Sequence, residues 1–337
     1  MKKFALTLIF ITLLSLTIIP IAFAHSPINE DGDSLEDALM INDPTKSWAL
    51  YSELEDHEDV RYYKFEIKKG DNIYVSLFVP PKFQDFRPQF ILYGPGLEEN
   101  ISLPNKVETP SGEGAKSLEY YEDPEPSFEP FTPSALIDLG IIDLSAPETG
   151  TYYLIIYSEE GETGHFGFAL GRRESFTVSE IFMLPIMIFQ IYLWEGQFFL
   201  FILLPLMLTY LLGGLYIFYY KKTYKGPDSL QDYFLVIGGL TLIGTAANTA
   251  YQVIQKGFIT GPSIAILFSL FFILVPLYLG YSVIKTGIKT KKSFSKFKRL
   301  KFIIFGIIAI LMWTGLYIGP FLLFGAALLP FQGKARL

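Results

Sequence analysis

The chain has 337 residues, half of them apolar, with 31 Phe, 21 Tyr, no cysteine and a positive mean hydropathy. Its 18% charged residues fall below the roughly 25% of an ordinary soluble protein, which excludes a disordered chain and a single soluble globule. Without cysteine there are no disulfides, thiolate metal sites, Fe–S clusters or cysteine nucleophiles.

The length suggests two units at about 150 residues each, and the charge divides the same way. The net charge is −7, but His25–Glu180 holds 31 acidic against 11 basic residues, and Ile181–Leu337 holds 3 against 14. Such halves belong in different surroundings, and the acidic half is unsuited to a nucleic-acid partner.

Residues 1–24 read as a signal peptide: Lys2-Lys3, the apolar stretch Phe4–Ile19, the helix breaker Pro20, and Ala22-Phe23-Ala24 before a cleavage site. The acidic segment, residues 25–173, then becomes extracytoplasmic. Its period is two: Arg61–Ile67 alternates, Lys69-Gly70-Asp71-Asn72 turns, and Ile73–Val79 follows as a second strand. Gln89–Tyr93, Thr151–Tyr157 and His165–Leu170 continue the series between Gly- and Pro-bearing turns. This pattern predicts an antiparallel β-sandwich.

Ser34-Leu35-Glu36-Asp37-Ala38, the run Glu58–Asp71, Gln89–Gly96 and Gly150–Ile156 together resemble bacterial pre-peptidase C-terminal domains, over about Ser34 to Leu170. The resemblance implies a jelly-roll-like sandwich that binds or targets, in some members with calcium, and that is not catalytic. The segment 98–134, rich in Pro, Glu, Ser and Tyr, interrupts it. That insertion reads first as a solvated loop, and second as an acidic, aromatic contact surface around Glu119–Pro126. Asn100-Ile101-Ser102 is a glycosylation sequon.

After an apolar interfacial helix and linker, residues 174–197, four segments of the membrane half (residues 198–337) meet the length of about 20 residues that spans a bilayer: 198–220, 233–254, 263–284 and 302–329. The triad Glu195-Gly196-Gln197 separates the interfacial helix from the first span, and Trp194 is expected at headgroup depth. The loop 221–232 carries Lys221, Lys222 and Lys225, and the loop 285–301 carries eight bases. Positive-inside places both in the cytoplasm of a multi-pass cell-membrane protein, with the carboxyl end outside. The fold class expected is therefore mixed and two-part, an antiparallel β-sandwich followed by an α-helical bundle of four spans.

Thr241, Thr245, Asn248, Gln252 and Gln255 are spaced 4, 3, 4 and 3 and share one face of the second span. Interhelical packing is the simpler account, and the lining of a transporter's polar path is the alternative. None of the four spans contains a charged residue or a histidine, so a bis-histidine haem bundle is excluded. No phosphate-cradling or dinucleotide-binding glycine motif and no nucleophile elbow is present.

Two metal sites are candidates. Asp56, Glu58 and Asp59 could hold calcium through their carboxylates. Cleavage after Ala24 would begin the mature chain at His25, whose amine and imidazole, with His165, would form a three-nitrogen set suited to copper. At His25 alone this resembles the amino termini of copper-dependent lytic polysaccharide monooxygenases and periplasmic copper-binding β-proteins. The leading functional expectation is a non-catalytic, membrane-anchored sandwich that binds a carbohydrate, a peptide or another membrane or surface protein. A copper-dependent redox protein and a transporter subunit are the alternatives.

Overall fold

The computed structural model describes residues 26–28, 32–111, 113–224, 226–289 and 294–329. The expected signal peptide and His25 lie outside them.

The first half is a β-sandwich. The larger sheet has seven strands: β1 (Ser26–Ile28), β3 (Trp48–Leu54), β12 (Gly164–Leu170), β5 (Asn72–Val79), β10 (Ser134–Ser145) and β8 (Glu119–Tyr120) in that order, with β9 (Pro126–Glu129) also paired to β10. The smaller holds β2 (Leu39–Met40), β4 (Val60–Ile67), β11 (Gly150–Tyr157), β6 (Gln89–Gly94) and β7 (Gly114–Ser117). Pairing is antiparallel except at two edges, where β1 runs parallel to β3 and β2 to β4.

Period two decides the layers, because successive side chains point to opposite faces of a sheet. Tyr63, Phe65, Val75, Leu77, Leu139, Tyr152, Leu154, Phe166 and Phe168 are all buried between the sheets. The insertion is not a plain solvated loop: β7, β8 and β9 fall inside it, and Val107, Ala115, Leu118 and Phe128 are buried. Its polar composition conceals them because each strand has only two to four residues.

Six helices follow. Helix α1 (Val178–Trp194) opens on a capping box in which Thr177 and Glu180 satisfy each other's backbone N–H. Three helices are long and apolar enough to cross a membrane: α2 (Phe199–Tyr224), α3 (Leu230–Thr260) and α4 (Ile266–Lys289).

The fourth expected span is a hairpin. Helix α5 (Lys296–Leu311) has 16 residues and α6 (Ile318–Leu328) has 11, both short of the roughly 20 needed to cross. Between them Trp313, Gly315, Leu316 and Tyr317 all have positive φ, which reverses the chain. Hydropathy stays high through the turn, so it could not reveal the reversal. Helix α6 returns along α5 and α3. The Arg299 guanidinium donates to the carbonyls of Ala327 at 2.7 Å and Leu329 at 3.0 Å, and the Gln231 amide donates to Ala326 O at 3.1 Å. The last described residues therefore lie at the end of the bundle where the basic loops are, not at the opposite end that a straight fourth span would reach.

The sandwich sits against the other end, where α2 starts, α3 finishes, α4 starts and the hairpin turns. The turn between β9 and β10 makes two of the contacts there. Phe131, in the turn between β9 and β10, inserts among Phe268, Phe272 and Trp313 with ring centroids at 4.9, 6.2 and 6.0 Å. Ser269 donates to Pro130 O at 2.7 Å.

Candidate ligand cavity beneath the sandwich

The outward face of the large sheet is covered by α1. Alternation that sends Ile73, Val75 and Leu77 inward sends Tyr74, Ser76 and Phe78 outward, and on β10 it sends Leu136 and Asp138 outward. A bulge at Leu139 breaks the register between Asp138 and Gly140, so that Ile141 regains the outward face. Helix α1 turns Ile181, Leu184, Ile188 and Ile191 toward this wall, the three- and four-residue spacing of one helical face.

The two do not meet along their whole length. Between them lies a cavity of about 670 Å³, floored by Leu311 and Trp313 of the hairpin and by Ala265 before α4. That volume is within the roughly 300–1,000 Å³ of small-molecule sites. A second cavity of about 110 Å³ adjoins it below Phe131 and Trp313, and reaches Thr245, Asn248 and Thr249 on α3.

The sheet side of the large cavity carries polar groups set among Phe78, Leu136, Ile141 and Ala169. Glu129 accepts from the Phe131 N–H at 2.9 Å, and Ser127 donates to Leu136 O at 3.1 Å and meets Asp138 at 3.5 Å. Burial pushes the Glu129 carboxyl up to about 7, with Glu174 and Asp138 adding to the rise against the Phe131 N–H. Burial raises the Asp138 carboxyl as well, although its side chain keeps surface open to the cavity. Tyr51 is pushed up by burial and by the nearby Glu129 and Glu195. Arg172, also on the wall, is held by Asp143 at 3.0 Å and lies 3.8 Å over the Tyr74 ring.

A polar joint ties the sandwich to the helices. Glu195 pairs with Lys256 at 2.7 Å, both side chains 5% exposed or less, and accepts from Ala135 N at 3.2 Å and from Gln197 at 3.0 Å. Burial pushes the Glu195 carboxyl up, and Lys256, Gln197 and Ala135 pull it back. Trp194 docks on the sheet. Its indole donates to Ser52 O at 2.9 Å and its ring meets Tyr51 and Phe78, because the sheet offers it an acceptor and an aromatic wall.

Three residues of the stripe on α3 are brought against partners. Thr241 meets the Tyr210 hydroxyl at 2.6 Å, Thr245 meets Thr314 at 2.6 Å and accepts from Gly315 N at 3.0 Å, and Gln252 exchanges two 2.9 Å bonds with Gln197. Asn248 Oδ1 and Gln255 Oε1 are buried without a hydrogen-bond partner among the described residues.

His165 has both ring nitrogens engaged, Nε2 with Glu53 at 2.8 Å and Nδ1 with the Trp194 carbonyl, and stacks on Phe83 at 4.4 Å. Asp59 organises a turn, accepting from Glu55 N and Asp56 N at 2.8 and 3.0 Å and from Arg61 at 3.3 Å. Asp56 and Glu58 face His57 at 2.6 and 4.0 Å. Among the described residues no three His, Asp or Glu side chains converge as a metal set. Glu129 and Asp138 were not singled out from the sequence, and Glu195 only as part of a helix break. A lone carboxylate in a polar insertion, on an unanticipated strand or in a linker gives no sign of what the fold brings to it.

No protein-family model and no curated protein matches the chain. Among solved structures it is similar to the periplasmic inhibitor of g-type lysozyme PliG from Aeromonas hydrophila, at 15% identity over 40% of this chain and 96% of that one, with a TM-score of 0.24. It is also similar to the pre-peptidase C-terminal domain of a Bacillus anthracis collagenase, at 12% identity over 39% and 91%, with a TM-score of 0.23. Both likenesses are of β-sandwich kind and say nothing of ligand or activity.

Proposed function

We propose that this is a membrane-anchored, non-catalytic binding protein, with its acidic sandwich outside the cell and its ligand site in the cavity between the large sheet and α1. The observation that carries the reading is that cavity: a space of about 670 Å³ with polar groups on its sheet wall, an apolar helix wall and a floor made by the outer turns of the membrane helices. An amphipathic ligand fits such a division, because each wall then meets matching chemistry. The three spans anchor the sandwich beside the lipid, and the Lys and Arg residues of the two basic loops support a cytoplasmic side for them.

The test uses the full chain extracted from membranes and examined by native mass spectrometry. The expected result is a small amphipathic molecule retained by the wild type and lost from Ile188→Trp, which fills the cavity. Equal retention by both, or by neither, overturns the reading. Orientation is checked separately, since a chain without cysteine accepts single reporters cleanly. Glu66→Cys should react with an impermeant maleimide on intact cells, and Lys222→Cys should react only after lysis.

A further inference from the structure

The cavity's charge is unbalanced, and the imbalance points to the sign of its ligand. Glu129 and Asp138 both line it, and neither forms an ion pair among the described residues. Arg172 on the same wall offers no relief. Its guanidinium is already engaged by Asp143 at 3.0 Å and stacked 3.8 Å over Tyr74. Both carboxyls stand above their ordinary range because of partial desolvation, the response of acids at a cavity wall without a cation.

Buried charges in proteins are paired, and a carboxylate shut away alone is costly. An anionic head would meet two like charges and no free cation. An uncharged head would leave the carboxylates uncompensated. A cationic head would pair with them and could lie against tyrosine faces, as the Arg172 guanidinium does on Tyr74. Opposite that wall, Leu184, Ile188 and Ile191 of α1 offer only hydrocarbon, and Trp313 continues it at the level of the membrane helices.

We propose that the cavity takes a single-chain amphiphile with an ammonium head, the head between Glu129 and Asp138 and the chain along α1. This rests on the reading of the cavity as the ligand site. The chain is drawn from the lipid, since the floor of the cavity is the outer end of the membrane bundle.

The experiment uses the full chain in nanodiscs of zwitterionic lipid, with binding measured for dodecylammonium, dodecanol, dodecanoate and hexylammonium. The wild type should hold dodecylammonium roughly tenfold or more tightly than dodecanol, and dodecanoate should bind weakest. In Glu129→Gln/Asp138→Asn that preference should vanish while dodecanol binding persists. The two single variants are measured as well, so that a folding failure of the double leaves the comparison intact. Dodecanol or dodecanoate binding as well as dodecylammonium, or a preference unchanged by the substitutions, overturns the ammonium head. Hexylammonium binding as tightly as dodecylammonium overturns the lipid source and leaves a free-amine site. If no probe distinguishes wild type from Ile188→Trp, the cavity is not a ligand site and the underlying reading fails with it.

Discussion

The two halves of this molecule both bury an apolar core but differ in what they leave on the surface and what polar groups they enclose. In the sandwich, Tyr62, Tyr63, Phe65, Phe90, Tyr152, Phe166 and Phe168 are all 1% exposed or less. In the helices Leu212, Phe218 and Phe258 lie on the surface, while Gln231, Asp232, Thr241, Gln252, Lys256 and Ser269 are buried. Water drives the first arrangement by expelling apolar surface. Lipid tails are as apolar as leucine and supply no such drive, so close packing and polar pairing hold the second. The lesson lies at the junction, where Glu195 and Lys256 join a sheet built by one rule to helices built by the other.

That contrast can be broken on either side. Phe168→Ala empties a site packed against Tyr63 and Phe90 at 4.9 and 5.5 Å and should cost the sandwich ~3–5 kcal/mol. Thermal or denaturant melting followed by near-ultraviolet circular dichroism reads that loss, and a change under 1 kcal/mol would contradict a tightly packed core.

At the junction, Lys256→Met leaves Glu195 buried without its cation and should cost a similar ~3–5 kcal/mol. Adding Glu195→Gln keeps an acceptor for Ala135 N and should restore most of the loss. A double variant no better than the single would show that packing, not charge, holds the joint.

Phe131→Ala should cost about 2 kcal/mol from lost burial and ring contacts. It sharpens the comparison, because faster hydrogen exchange is expected at 130–134 and at the outer ends of α4 and α5, with β4 and β11 unchanged. Exchange rising throughout the sandwich would mean that the two halves fold as one unit.

Within the bundle, Thr245→Val removes the bond to Thr314 and the acceptor for Gly315 N. It should cost about 0.5–1.5 kcal/mol of detergent-phase stability. No measurable change would return the stripe to the role of a path rather than a packing face.

A further effect depends on pH. Glu129 has a folded pKa of about 7 against an ordinary value of 4.5, with Asp138, Glu174 and Tyr51 as its titratable neighbours. The folded state therefore binds the proton more tightly than the unfolded state. Its contribution to stability is full below pH ~4.5 and is lost as pH rises through about 7. Glu129→Gln should melt more nearly independently of pH than the wild type between those limits, and identical profiles would remove Glu129 from the buried set.

The strands with alternating side chains were legible because a sheet buried on one face imposes period two. Arg61–Ile67, Ile73–Val79, Gln89–Tyr93, Thr151–Tyr157 and His165–Leu170 all appear within a residue or so of their observed bounds. Strands β3 and β10 were not anticipated. In β3, Ser and Glu blur the alternation, and the bulge at Leu139 interrupts it in β10. The three long helices were legible from hydropathy alone, and α1 from its break at Glu195-Gly196-Gln197. The cavity was not legible, since its walls come from β3, β5, β9, β10, β12 and α1 and no window of sequence contains them together.

The sequence by itself determined that a charged, strand-rich half precedes an apolar, helical one, and that the polar residues of α3 share a face. Both follow from local chemistry, from side-chain alternation in strands and helical spacing in lipid-length segments. Only the tertiary structure decided that residues 302–329 fold back as a hairpin, that Trp194 docks on the sheet, and that Glu129 and Asp138 line one cavity. Those outcomes depend on contacts between residues far apart in the chain, and hydropathy, being a sum over neighbours, carries no record of them.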